Sequence, residues 1–275
     1  LKHNLIAQLY KRVLTMLAAM FSGVFMVAAG GLHPIVEVET GFLFGATLDG
    51  KWMNAGETTK LIQSGTLYRI YSVTERLGET NGSKPKSLSE VCPDTLEVSL
   101  SAKPARGVIA LAAPWNALPR KPRTADTTQK VYGDAVGDFL KKRGIKEPKV
   151  KITRILRVDL EGDGEEEVLI SATNYFSKDE SVPSNAPAGS YSLVLLRRVT
   201  AGKVQTQLVA GEFYPTAKTF IAPNHYSVTA VLDLDGDGKL EVMVHSAYYE
   251  GGSTTIYRCE PGKNAKALLS VECGA

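Results

Sequence analysis

Cysteine is scarce in this chain. There are three, Cys92, Cys259 and Cys273, and no C-x-x-C pair, which gives no support to a zinc site or a thioredoxin-like dithiol. Histidine is almost as sparse, with only His3, His33, His225 and His245. H-E-x-x-H, G-x-S-x-G and a phosphate-binding glycine loop are all missing, so the common hydrolase and nucleotide signatures have no footing. Net charge is nearly absent too: the formal value is +3 over 275 residues. That excess comes from Lys2, Lys11 and Arg12, in a leading stretch without acids. The rest is balanced, and nothing argues for nucleic acid or another polyanion as partner.

The leading stretch, residues 1–29, reads as a signal peptide. Lys11 and Arg12 form its positive region, and "VLTMLAAMFSGVFMVAA" its apolar core. Val27 and Ala29 fit the small-residue rule for cleavage, which places Gly30 first in the mature chain. The expectation is a secreted or periplasmic protein. The alternative is a retained membrane anchor, since an apolar run of roughly 17 residues sits at the lower edge for a spanning helix. No cysteine lies near the cleavage point, which argues against a lipoprotein. In an oxidising compartment Cys259 and Cys273, in neighbouring predicted strands, form the expected disulfide. Three buried thiols are the other possibility.

What the chain does have is an acidic loop, twice. "VLDLDGDGKLEVMV" spans Val231–Val244 and "RVDLEGDGEEEVLI" spans Arg157–Ile170. The likeness continues outward: "EVLISATNYF" aligns with "EVMVHSAYYE", "SYSLVLLRRV" with "STTIYRCE", and "GKVQTQLVAGEF" with "NAKALLSVECGA". Such an internal repeat is read before anything else. Each copy parses as four short strands. In the first strands Val150, Ile152, Leu156 and Val158 share one face, as do Val228, Ala230 and Leu232. The second strands are apolar runs suited to burial on both faces. An "EGGS" hairpin turn joins the second copy's middle strands, where the first copy has the long loop "SKDESVPSNAPAG".

Residues 30–125 are β-rich, with strands in "GFLFGATLDGKWM" and "TLYRIYS". A short helix is expected over 54–65, with Asn54 as cap, Glu57 in the capping-box position and Gly65 as stop. Residues 101–125 hold four prolines and read as an irregular connection. Residues 126–147 carry a second helix capped by Asp126 or Thr127, with Val131, Ala135 and Phe139 on one face and Tyr132, Val136 and Leu140 beside them. Lys141, Lys142 and Arg143 suit its negative end and Gly144 its terminus. Its apolar stripe is expected to pack on the first repeat. Residues 148–275 hold the two repeats. The expected class is mainly β with two short helices, built on propeller-blade-like four-stranded antiparallel repeats, with α+β as the alternative.

Carboxylates on alternate residues of a tight loop converge if the backbone coils around a hard cation, and calcium takes six to eight oxygens. The second loop offers Asp233, Asp235, Asp237, the Lys239 carbonyl and Glu241. The first offers Asp159, Glu161, Asp163, the Glu165 carbonyl and Glu167. The glycines permit the sharp turns. This is not an EF-hand, since position 12 is Ile170 or Val244 and the flanks are strands. D-x-D-G-D-G-x-x-E between apolar strands, repeated, resembles the FG-GAP and VCBS repeats, the calcium-loop blades of integrin-like propellers and many exported bacterial proteins. The resemblance covers residues 148–275 and implies bound calcium. Two copies are fewer than a closed propeller needs, so the N-terminal half supplies degenerate blades or the fold is an open, propeller-like stack.

Catalysis has little support in the sequence. "SAYYEGG" and "SATNYFS" put aromatics beside each loop, as rim packing or as a ligand-contacting surface. A calcium-stabilised, exported binding or structural module with an unknown protein or glycan ligand is the favoured reading. A secreted hydrolase with its site around "LAAPWNALPRKPR" is the alternative. In neither does the membrane enter except through an uncleaved leader.

Overall fold

The structure, a computed structural model, describes residues 31–88, 92–175 and 183–274. The expected signal peptide lies outside these residues, as do residues 176–182 of the long first-copy loop. Along the N-terminal half run β1 (Leu32–Glu37), β2 (Leu43–Leu48), β3 (Lys51–Asn54), the one-turn helix α1 (Ala55–Thr58), β4 (Thr66–Tyr71) and β5 (Arg76–Gly82). The short β6 (Lys86–Ser87) and β7 (Leu96–Glu97), then β8 (Ile109–Leu111) and β9 (Arg123–Thr124), complete it. Helix α2 (Lys130–Lys142) leads into the repeats. The first repeat is β10 (Ile152–Val158), β11 (Glu167–Thr173), β12 (Ser190–Thr200) and β13 (Lys203–Tyr214). The second is β14 (His225–Leu232), β15 (Glu241–Tyr248), β16 (Gly251–Arg258) and β17 (Lys266–Gly274). The chain is therefore mainly β with two short helices, and each repeat is a four-stranded antiparallel meander, as expected.

Three sheets stack face to face, and none closes into a barrel. The N-terminal sheet has the order β3-β2-β1-β8-β4-β5; the first repeat gains β9 at its β10 edge; the second repeat stands alone as β14-β15-β16-β17. The second repeat is the middle layer. One of its faces sends Ala230, Leu232, Met243 and Ile256 against Ile35, Phe44 and Leu111 of the N-terminal sheet. The other sends Val228, Val231, Val242 and Val244 against Leu156, Val158 and Leu196 of the first repeat. Tyr132, Val136 and Leu140 of α2 cover the outer face of the first repeat, on Ile155, Ile170 and Leu195. The helix docks on the first repeat as expected, but through Tyr132, Val136 and Leu140; Val131, expected on the apolar face, is exposed. The outermost face of the N-terminal sheet is covered by Ile62, Val98 and Leu100.

The strand periodicity is broken where a single extra residue enters. Register shifts fall between Ile152 and Arg154 in β10 and between Val228 and Ala230 in β14. Ile152 therefore faces α2 while Leu156 and Val158 face the second repeat. Val228 likewise lies on the opposite face from Ala230 and Leu232. A bulge reverses the in-out alternation beyond it, which corrects the single-face reading of both strands.

Three local expectations also change. The Asn54–Glu57 capping box forms, but the helix ends after one turn. Thr58 and Thr59 return their hydroxyls to the Ala55 carbonyl, a local alternative that weakens helix continuation. Helix α2 begins at Lys130 behind Gln129, because Asp126 closes a separate turn by accepting from the Thr128 N–H at 2.8 Å. Within 101–125, Ile109–Leu111 is no loop: it is the central strand that joins β1 to β4.

The disulfide differs as well. Cys92 bonds Cys273, and Cys259 is a buried free thiol. Cys273 lies opposite Gly252, whereas Cys259 follows the far end of β16, where Arg258 pairs with Lys266. Six or seven residues of strand separate them by about 20 Å, well beyond the reach of a disulfide. Burial pushes the Cys259 thiol up to about 12, so it is inert as well as remote. Cys273→Ser is expected to lower unfolding free energy by about 2–4 kcal/mol, and Cys259→Ala by about 1 kcal/mol. Non-reducing peptide mapping checks the pairing; a Cys259–Cys273 cross-link would refute it.

Candidate metal centre in the paired acidic loops

Both acidic loops leave the stack at the same end, each between the first and second strand of its repeat. Each begins with an aspartate that folds the backbone onto itself. Asp159 accepts from the Gly162 and Gly164 N–H groups at 2.5 and 3.0 Å. Asp233 accepts from Gly236 and Gly238 at 2.7 and 3.1 Å. These glycines have φ between +77° and +92°, the left-handed region that side chains other than glycine rarely enter. Each loop then closes on its last acid: Glu167 accepts from the Leu160 N–H at 2.8 Å, and Glu241 from Leu234 at 3.0 Å. Leu160 and Leu234 are buried and root the loops in the core. The spacing from Asp to Glu is therefore a backbone-satisfying device before it is anything else.

The two loops differ in what their acids meet. In the second, one carboxylate oxygen each of Asp233, Asp235 and Asp237 lies within 4.8 Å of the others, the only such group among the described residues. Asp233, Asp235 and Glu241 are buried there. Burial, then the charges of Asp235 and Asp237, push the Asp233 carboxyl up to about 6. Burial and Asp235 push Glu241 up to about 8. In the first loop Asp159, Glu161 and Asp163 make no comparable group. Glu161 turns instead onto buried Arg198, at 2.8 Å. Burial and the neighbouring Glu161 push Glu167 up to about 7. The side chains of Glu165 and Lys239 point to solvent, leaving only their backbone to the loops.

A matched pair of arginines, not foreseen from the sequence, answers these acids. Arg258 of β16 reaches Asp235 at 2.5 Å, Glu241 at 2.8 Å and Asp237 at 3.8 Å. Burial works against its charge, but Glu241 and Asp235 outweigh it and raise its pKa. Arg198 of β12 holds the equivalent place: the partner of Val168 in the ladder is Arg197, and that of Val242 is Tyr257, so Arg198 and Arg258 come next in each copy. Aligning "VLLRRV" with "TTIYRCE" carried that signal. With three aspartates and Glu241 against one guanidinium, the second loop remains net negative.

The proline-rich segment before α2 locks the loops together. The Trp115 indole N–H donates to the Asp233 carbonyl at 2.9 Å, and its ring lies over Gly236, where a Cβ would come within 3.1 Å. Arg120 donates to the carbonyls of Asp159 at 2.6 Å, Leu160 at 3.2 Å and Gly238 at 2.6 Å, so one side chain ties both loops. The Leu240 N–H donates to the Leu160 carbonyl, joining them directly. "LAAPWNALPRKPR", the stretch considered for a hydrolase site, is placed as a strap across the loops.

The donor set is all oxygen, which suits a hard divalent cation such as calcium. Asp233, Asp235 and Asp237 would hold it in the second loop; Glu241, expected as a further ligand, lies outside that group, with its oxygens on the Leu234 N–H and on Arg258. No family model matches the chain, and searches among curated proteins and solved structures return no significant match.

Arg258→Gln removes the guanidinium that pairs with Asp235, Asp237 and Glu241. In metal-free protein it is expected to lower unfolding free energy by about 2 kcal/mol, below the cost of breaking a fully buried pair. Denaturant titration in a chelated buffer measures this; unchanged stability would show that Arg258 is not the compensating charge.

Proposed function

We propose that this chain is an exported, non-catalytic binding or structural module whose two FG-GAP/VCBS-like repeats, over residues 148–275, are stiffened by calcium. The observation that carries the reading is the convergence of Asp233, Asp235 and Asp237 within 4.8 Å of one another, in a loop whose fold recurs at Asp159. Calcium would relieve the repulsion that Arg258 only partly offsets. A Cys92–Cys273 bond is in keeping with an oxidising compartment. The ligand in this reading is a protein or glycan held by the surface around the loops, with no nucleic acid involved. No helix among the described residues is long and apolar enough to cross a membrane.

The same arrangement disfavours chemistry at the loops. Acids that share a cation stay ionised and make poor proton donors, and neither loop pairs a nucleophile with a base.

Replacing chelator with calcium at a hundredfold excess over its dissociation constant should stabilise the protein by about 2.7 kcal/mol, seen as a melting shift of several degrees. Identical melting curves would defeat the proposal. The second loop should be the tighter site, because its three aspartates converge within 4.8 Å of one another, whereas Asp159, Glu161 and Asp163 form no such group among the described residues. Calorimetry on Asp237→Ala and Asp163→Ala should then show the larger loss of calcium affinity for Asp237→Ala, and the reverse order would overturn the ranking.

A further inference from the structure

A second polar feature lies toward the other end of the same strands. A cleft of about 660 Å³ opens where the three sheets diverge, within the size range of small-molecule sites. The first repeat contributes Arg154, Thr153 and Ser171; the second contributes His225, Ser227 and His245; the N-terminal sheet contributes Glu37 and Glu39. Ser227 pairs with His245 and His245 with Thr254 across the middle sheet, so their side chains form one row on the face toward Glu37.

The acids of this cleft are already engaged or opposed to its cation's wall. Glu37 accepts from the hydroxyls of Thr40 at 2.6 Å and Thr254 at 2.8 Å. Having donated to Glu37, Thr254 is left to accept from His245 Nδ1 at 3.0 Å. Arg154 has no such partner. Its guanidinium is half-buried and, among the described residues, donates only to the Val228 carbonyl, at 3.2 Å. Most other described arginines meet a carboxylate: Arg69 and Arg76 on Glu79, Arg106 on Glu75, Arg123 and Arg157 on Glu166. Arg120, Arg198 and Arg258 do so at the loops. Arg143 and Arg197 lie instead over the rings of Phe139 and Tyr132. Among the described residues Arg154 alone among the arginines has neither, and burial alone, with no offsetting anion, lowers its pKa.

A guanidinium taken partly out of water without a counter-charge is costly, and its fork of donors matches the two oxygens of a carboxylate or phosphate. We propose that this cleft binds a small molecule through one compact oxyanion group, carboxylate or phosphate, seated on Arg154. Ser227 and His245, which line the cleft, make hydrogen bonds to the rest of the ligand, while Thr254 behind them fixes the His245 ring. Glu37 and Glu39 on the facing wall repel a polyanion, so the remainder of the ligand is neutral or cationic. The site is independent of the calcium loops.

The test uses metal-free full-length protein, with inorganic phosphate and acetate as separate probes, followed by calorimetry and by amide NMR. At least one probe is expected to bind and to shift the amides of Arg154, Val228, His225 and His245. Phosphate alone, acetate alone or both would each support the site and identify its anion. Arg154→Gln should weaken the probe at least tenfold, and Arg154→Lys, which keeps the charge but loses the fork, should also weaken it. Arg157→Gln, two residues along and paired with Glu166, should bind as wild type. Absence of binding by either probe would overturn the proposal, as would shifts confined to other surfaces or full binding by folded Arg154→Gln and Arg154→Lys.

Discussion

Four carboxylates gather at the root of one turn, three of them buried, and the segments around them are arranged to offset the cost. Each such group is costly without a cation or hydrogen-bond donors. The chain supplies both. Glycine amides and the Leu234 amide serve Asp233 and Glu241, and Arg258 serves Asp235 and Glu241. The first loop repeats the solution with Asp159, Glu167 and Arg198. These arginines stand on the third strand of each repeat, so the loop acids find their counter-charge two strands along the sheet. Local loop geometry and sheet formation are thereby coupled.

The same need organises the neighbouring segment. Trp115 and Arg120 leave the N-terminal sheet after β8 and reach the loop carbonyls before the chain pairs again as β9. A connection crowded with prolines has few backbone donors of its own, so side chains make its contacts. It fixes both loops to each other and to the first sheet. At the other side of the stack, the Cys92–Cys273 bond holds the last strand to the N-terminal half. The middle sheet, apolar on both faces, is thus restrained at both margins by polar or covalent ties.

Open stacking also separates two chemistries along the same strands. One end of β10 and β14 carries the acidic loops, and the other opens onto Arg154 and His225. Burial and the nearby His245 push the His225 imidazole down to about 4, so His225 is uncharged near pH 7 and Arg154 is the cleft's fixed positive charge. A sheet core that excludes water between the two ends lets each keep its own electrostatic character.

Much of this was legible in the residues, because the relevant physics is local. Alternating apolar residues marked the strands, the Asp-Gly spacing marked the loops with their left-handed glycines, and the stripe Tyr132, Val136, Leu140 marked the helix face that docks on the first repeat. Asn54 and Glu57 announced their capping box. The bulges in β10 and β14, the role of Ile109–Leu111 as a central strand and the choice of Cys92 over Cys259 were not local. Each depends on which strand lies opposite, and a one-residue shift in pairing moves a side chain to the other face. The repeat itself was visible from sequence similarity, yet its counter-ions were not, since Arg198 and Arg258 lie far along the chain from the acids they meet. Where charge would be concentrated can be read along the chain. Which cation answers it is set by the folded arrangement, because Coulomb energy follows distance in space and not separation along the chain.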